Sequence, residues 1–273
     1  MRIKVTPADV ERGEIARCIE TIYCDYSLSF SQGGNGARDT DGPVIWSASG
    51  VAGLGFNWVT KASIEGQEQE QIARVVGEYE KLKTSFWWIV GPSTKPVDLS
   101  EHLLAAGFTR LFSGPGMALD LSRIQAECDP PADVTIRRLI HSEALGVWDS
   151  SIAISQLSDE NRTAIHAAFA GVPSSHAPIW HVAYRDGQSI ARCLTFFGSD
   201  PEVVSMHDLF TIASARRQGI GTALAIQALN HAQSRGCKVG TLISSEAALG
   251  LYGKLGYEKY CEMEFFARAY PRG

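Results

Sequence analysis

The apolar positions of residues 134–273 change period along the chain, from two to about four and back. Val134–Leu139 alternates as a strand does, and Ser142–Ile154 repeats as a helix. A further helix is expected from near Ser158, where Asp159 and Glu160 suit the positive end of the helix dipole. Trp180–Tyr184 and Ser189–Phe197 flank Arg185-Asp186-Gly187-Gln188, and the Asp-Gly pair predicts a tight hairpin. Val203–Ile212 reads as a strand. Ile220, Leu224, Ala228 and Ala232 recur every four residues, so a long helix is predicted from Gln218 to Arg235, closed by Gly236. Lys238–Ile243 is a strand. Glu246–Leu255 is a helix whose inner face should be Ala247, Ala248, Leu251 and Leu255, and Tyr257–Phe266 is the last strand.

The first half repeats part of this order. Val51–Thr60 reads as a strand, Ile72, Val75, Val76, Tyr79 and Leu82 mark a helix, and Phe86–Val90 is a strand. Asp98–Ala106 is a helix opened by a capping-box pattern of Asp98 and Glu101, and Phe108–Leu121 is strand-like. A shift of about 149 positions carries Ala105-Ala106-Gly107-Phe108 onto Lys254-Leu255-Gly256-Tyr257, with the preceding helix and strand in register without a gap. This is the pattern of an internal duplication. Residues 31–43 are glycine-rich but do not join a strand to a helix start, so a surface loop is expected there.

Composition narrows the class. A chain of 273 residues suits two domains of about 130 each. Cys128-Asp129-Pro130-Pro131-Ala132-Asp133 is the linker expected between a domain at 1–127 and another at 134–273. The net charge of −5 argues against nucleic acid as a partner. Met1–Val10 lacks the apolar core of a secretory signal, and no run reaches membrane length, so a cytoplasmic protein without a membrane partner is expected. The six cysteines form no CxxC pair and sit beside no histidines at zinc spacing, so no metal site is expected and the thiols should stay reduced. Trp46, Trp58, Trp87 and Trp88 are expected in the core.

The chemistry concentrates in Arg216-Arg217-Gln218-Gly219-Ile220-Gly221-Thr222, between a strand and the long helix. Unpaired N–H groups at a helix start and the helix dipole favour an anion there, and glycines let phosphate approach the backbone. Thirty residues on runs Ser244-Ser245-Glu246-Ala247-Ala248-Leu249-Gly250-Leu251-Tyr252-Gly253-Lys254-Leu255-Gly256-Tyr257. Together the two segments resemble the GNAT acetyltransferase superfamily, with Ser245 where asparagine is usual. The resemblance covers residues 134–266 closely and the first half only as an order of elements.

The resemblance implies an α/β fold with mixed sheets, built as two tandem GNAT-like folds, and acetyl-CoA as co-substrate. It implies that the N–H groups of Arg217, Gln218, Gly219, Ile220, Gly221 and Thr222, with Arg216 adding charge, hold the diphosphate. The backbone of Leu209, Phe210 and Thr211 would pair with the pantetheine arm, and Ser245 would touch it. Tyr252 stands at the position whose phenol protonates the departing thiolate. His207 and Asp208 lie in the central strand near the family's usual base. Strand alternation puts them on opposite faces, so one of them at most faces the acceptor.

Under the 149-residue shift, Gln67–Ile72 falls on Arg216–Gly221; both glycines are lost, and Glu65, Glu68 and Glu70 crowd the helix start. Leu103 falls on Tyr252. The first half therefore resembles a degenerate GNAT fold without a cofactor site, as in tandem GNAT enzymes. The expected activity is direct acetyl transfer to the amine of a small-molecule acceptor, by a monomer or homodimer. The alternatives are a non-catalytic acyl-CoA sensor and acyl-CoA chemistry without an amine.

Overall fold

A computed structural model of the chain describes residues 12–32, 36–51, 55–124, 128–140, 143, 146, 159–172 and 177–270. The helix expected at Ser142–Ile154 lies outside the described residues, apart from Glu143 and Gly146. The compact units do not coincide with the two sequence halves. One contains residues 1–22, 115–151 and 174–260, and the other residues 23–114, 152–173 and 261–273.

In the first unit the sheet order is β5-β10-β9-β8-β7-β6, with β5 at Thr109–Asp120, β6 at Thr135–Ile140, β7 at Ile179–Arg185, β8 at Gln188–Phe197, β9 at Val203–Thr211 and β10 at Val239–Ile243. The β10/β9 pair is parallel and its neighbours are antiparallel, so the sheet is mixed. The hairpin between β7 and β8 turns on Asp186 and Gly187, at φ 51 and 75, as its Asp-Gly sequence demands. Helix α5, Ile220–Ser234, packs an almost wholly apolar face (Ala223, Leu224, Ala225, Ala228, Leu229, Ala232) into the core. Gly236 at φ 95 ends it.

The second unit orders its sheet β1-β2-β3-β4-β11, from Ala37–Asp39, Val44–Ala48, Asn57–Ala62, Phe86–Val90 and Glu258–Arg268. Trp46, Trp58 and Trp88 are buried there as expected, and Trp87 is half-buried. Each unit completes its sheet with the last strand of the other half: β10 pairs with β5, and β11 with β4.

Several expectations are corrected. Helix α1, Arg12–Ser29, and strands β1 and β2 had no counterpart in the pattern, and β1 falls inside the stretch expected as a loop. The third strand starts at Asn57 rather than Val51. Helix α3, Leu99–Ala105, has no side-chain cap bond from Asp98; that carboxylate instead lies 3.8 Å from His102 one turn on. Helix α4, Asp159–Ala170, starts where the acidic pair predicted. The last helix, α6, is only Leu249–Lys254, preceded by a 3-10 turn over Glu246–Ala248. Ala248, Leu251 and Leu255 pack against the core as expected, while Ala247 is exposed and Tyr252 is the most buried residue of α6.

The repeat is also offset differently. Helix α2, Glu68–Lys81, buries Ile72, Val75, Val76 and Tyr79, and α5 buries Ala225, Ala228, Leu229 and Ala232, each 153 positions later. Phe86 and Val239 open their strands at the same interval. The 149-residue interval holds from α3 and α6 onward: Leu103 and Tyr252 are buried in them, and Gly107 and Gly256 follow with φ 85 and 92. The gapless register therefore fails by four residues between β4 and α3.

Candidate active site

The sheet of the first unit opens where β9 and β10 part. Their parallel pairing is Val239↔Val203, Gly240↔Val204 and Thr241↔Ser205, yet β9 runs on to Thr211 and β10 to Ile243. Beyond Ser205, β9 pairs among the described residues with β8 alone. Leu209, Phe210 and Thr211 lie in this segment and are half-buried. Its edge offers main-chain donors and acceptors to an extended ligand.

A bulge marks the same segment. His207 faces Leu194 and Phe210 faces Arg192, so Asp208 and Leu209 together stand opposite Cys193. Asp208 sits at φ 49, in the left-handed region. The extra residue bends the strand and interrupts strict alternation. The Asp208 carboxylate takes two hydrogen bonds from Arg192, Nε at 2.6 Å and Nη2 at 3.3 Å. His207 is turned to Ser205, with Nε2 2.7 Å from its Oγ. Burial pushes the His207 imidazole down to about 3, so it is neutral at pH 7.

The loop after β9 leads to the N-terminus of α5. A 3-10 turn over Ala213–Ala215 is followed by Arg216 in an extended conformation, Arg217 at φ 64 and the N-cap Gly219 at φ 80. No side chain caps the helix, and its first internal bond is from the Ala223 N–H to the Gly219 carbonyl. The N–H groups of Ile220, Gly221 and Thr222 thus have no partner within the helix. Arg216, Arg217, Gln218 and Gly219 are exposed. Arg216 Nε donates to the Thr211 carbonyl at 2.9 Å, and Gln218 donates to the Ser214 carbonyl and accepts from Arg185. A Cβ on Gly221 would come 3.4 Å from Thr211 Oγ1, while one on Gly219 would meet nothing within 4 Å. Gly219 is thus favoured by its left-handed backbone, whereas a Cβ at Gly221 would make only an ordinary contact.

Tyr252 is 7% exposed and belongs to the core cluster with Cys193, Leu224 and Tyr257. Its ring meets that of Tyr257 edge to face at 5.6 Å. Burial, with the Cys193 thiol adding in the same direction, pushes the Tyr252 phenol up to about 12. Ser245 is exposed, and its hydroxyl caps nothing at the start of the 3-10 turn. Among the described residues no group of three His, Cys, Asp or Glu side chains could hold a metal, and no helix is long and apolar enough to cross a membrane.

Arg192 is the site residue that sequence reasoning missed. Its signal was a lone charge in the apolar run Ile190–Phe197, and the side chain is 8% exposed. At the equivalent point of the second unit, Glu68 Oε1 accepts from the Gly66 N–H at 2.6 Å. The backbone donors at this helix start, Glu68's own and that of Gly66, hold the Glu68 carboxyl below its usual range.

Residues 144–257 match the sequence model of the Acetyltransferase (GNAT) family, which gives this part of the chain a GNAT-type domain. The chain is similar in structure to a GCN5-related N-acetyltransferase from Kribbella flavida, with TM-score 0.65 and 18% identity, covering 94% of this chain and 96% of that one. It is also similar to a tandem GNAT protein from the clavulanic acid biosynthesis pathway, with TM-score 0.60, 14% identity and coverage of 94% and 97%. A GCN5-related N-acetyltransferase from Sphaerobacter thermophilus gives TM-score 0.60, 14% identity and coverage of 98% and 95%. At these identities the likeness is one of fold: α/β, with the mixed sheet of GNAT acyltransferases. Among curated proteins none matches the sequence.

Proposed function

We propose that the protein transfers an acetyl group from acetyl-CoA directly to the amine of a small molecule. The observation that carries this is the parting of β9 and β10 beyond Ser205, next to the uncapped, glycine-led start of α5. A diphosphate would be held by the N–H groups of residues 217–222 and by the exposed Arg216 and Arg217. The edge of Leu209–Thr211, where the Thr211 carbonyl already accepts from Arg216, would take the amides of the pantetheine arm, with Ser245 beside it. Tyr252 keeps its proton through the physiological range and would donate it to the departing thiolate.

The two candidate bases differ. The Asp208 carboxylate is committed to Arg192, so its role is to hold the strand rather than to accept a proton. His207 is neutral and could accept one, although its low pKa makes it a weak base. In the second unit, the Glu68 carboxylate takes the N–H groups of Gly66 and of Glu68 itself, two of the donors that a phosphate would need, which supports a degenerate first half without a cofactor.

One observation favours a second reading, a non-catalytic acyl-CoA sensor: Tyr252 lies in the core cluster and releases its proton only near pH 12. Free-thiol release from acetyl-CoA, measured with a panel of primary amines and without any, separates the cases. Amine-dependent release is the expected result. Release without an amine indicates hydrolysis. Binding with no release under any condition indicates the sensor.

A further inference from the structure

We propose that Arg192 is a positioning residue: its guanidinium locks the Asp208–Leu209 bulge of β9 and so sets the backbone edge that an acyl-CoA would pair with. The functional half of this statement rests on the acyl-transfer reading above; the structural half does not.

Asp208 sits at φ 49, in the left-handed region that residues with a side chain seldom enter, Asp more readily than most. Such a conformation persists only where the surroundings impose it. The imposing contact here is the two-pronged bond from Arg192 on β8, Nε to Oδ2 and Nη2 to Oδ1. Arg192 is 8% exposed, so its charge is not free to meet a ligand from solvent, and without Asp208 it would be a buried cation lacking its partner. The bulge, the reversed backbone of Asp208 and the ion pair all lie just beyond Ser205, where β9 leaves β10.

The same guanidinium reaches further. It lies over the Phe210 ring, 4.8 Å from the centroid, and Arg216 approaches that ring at 6.0 Å. Arg216 in turn donates to the Thr211 carbonyl. One buried cation thus ties the bulge to the end of β9 and, through Phe210, to the first residue of the glycine loop. A lysine would keep the charge but lose the planar fork that holds both carboxylate oxygens.

The test compares wild type, Arg192→Met, Asp208→Gly and the double variant Arg192→Met with Asp208→Gly. Each is titrated with acetyl-CoA by calorimetry, and amide hydrogen exchange is followed at residues 206–211. Arg192→Met should weaken acetyl-CoA binding by about tenfold or more, the loss of a charge-assisted pair, and speed exchange across the bulge. Glycine accepts φ 49 without strain and removes the orphaned carboxylate, so the double variant should return to within about threefold of wild type. If methionine prevents folding, Arg192→Lys replaces it, with weaker binding again expected. Wild-type affinity and exchange in Arg192→Met or Arg192→Lys overturn the proposal, as does a folded double variant no better than Arg192→Met. If wild type binds no acetyl-CoA, the acyl-transfer reading fails; exchange then decides the structural half, and unchanged exchange in Arg192→Met overturns that too.

Discussion

Gly66 and Gly219 stand 153 positions apart and share a left-handed backbone, at φ 82 and 80. Each precedes a helix that buries matching residues in its own unit. The likeness ends two residues later. There the first half has Glu68, whose carboxylate accepts from the Gly66 N–H, and the second has Gly221. The first half therefore keeps one of the two glycines it was expected to have lost, and Glu68 stands in place of the other.

The two kinds of glycine predict different costs. Gly219→Ala should lower stability by about 1–2 kcal/mol, the strain of a left-handed alanine, since nothing lies within 4 Å of the new methyl. Gly256→Ala adds a contact at 3.2 Å with Leu119 Cδ1, so about 2–4 kcal/mol is expected. Denaturant unfolding of both variants checks the order. A Gly256→Ala variant no less stable than Gly219→Ala would contradict it.

Tyr252→Phe should leave the core cluster packed and reduce turnover by about 100-fold or more, the usual worth of a general acid. Because the phenol holds its proton to about pH 12, its ionisation should produce no alkaline limb below pH 10. Steady-state rates across pH 6–10 for both proteins test this. An alkaline limb in wild type that phenylalanine abolishes would show that Tyr252 titrates lower.

His181 and His231 predict acid sensitivity. Their rings lie 5.6 Å apart, and neither Nδ1 has a hydrogen-bond partner among the described residues. Burial, then His231 and Arg138, push His181 down to about 3. The folded pKa lies below the unfolded value of about 6.5, so the neutral form is favoured in the fold. Nothing is lost above pH 6.5, and stability falls as pH drops from there toward 3. Between pH 6.5 and 5 His181 alone should cost about 2 kcal/mol. Urea unfolding at pH 7 and pH 5 measures the loss, and His181→Leu should remove that share. A pH dependence equal in the variant would assign it elsewhere.

Much of the first unit was legible because its signals are local. Asp186-Gly187 fixes its own turn, and the four-residue apolar repeat of α5 reflects burial on one face. Helix α1 carried a readable stripe in Ile15, Ile19 and Ile22, but Arg17, Cys18, Glu20 and Thr21 between them blurred it. Strand β1, Ala-Arg-Asp, has no apolar pattern at all and exists by pairing with β2. The exchange of final strands depends on which edge each meets, a tertiary choice that periodicity does not encode. At the site, the glycine loop was visible as sequence, whereas the bulge was not. It arises from the register of β8 against β9 and from Arg192, a residue in neither motif.

The functional reading stands or falls on acetyl-CoA entering between the parted strands and the uncapped start of α5. Calorimetric titration of acetyl-CoA into wild type and Gly219→Glu decides it. Glutamate there would strain a backbone at φ 80 and set a carboxylate beside the helix start, as Glu68 does in the other unit. Micromolar binding by wild type, lost in a folded Gly219→Glu, is the predicted result. No binding by wild type, or equal binding by both, would contradict the reading.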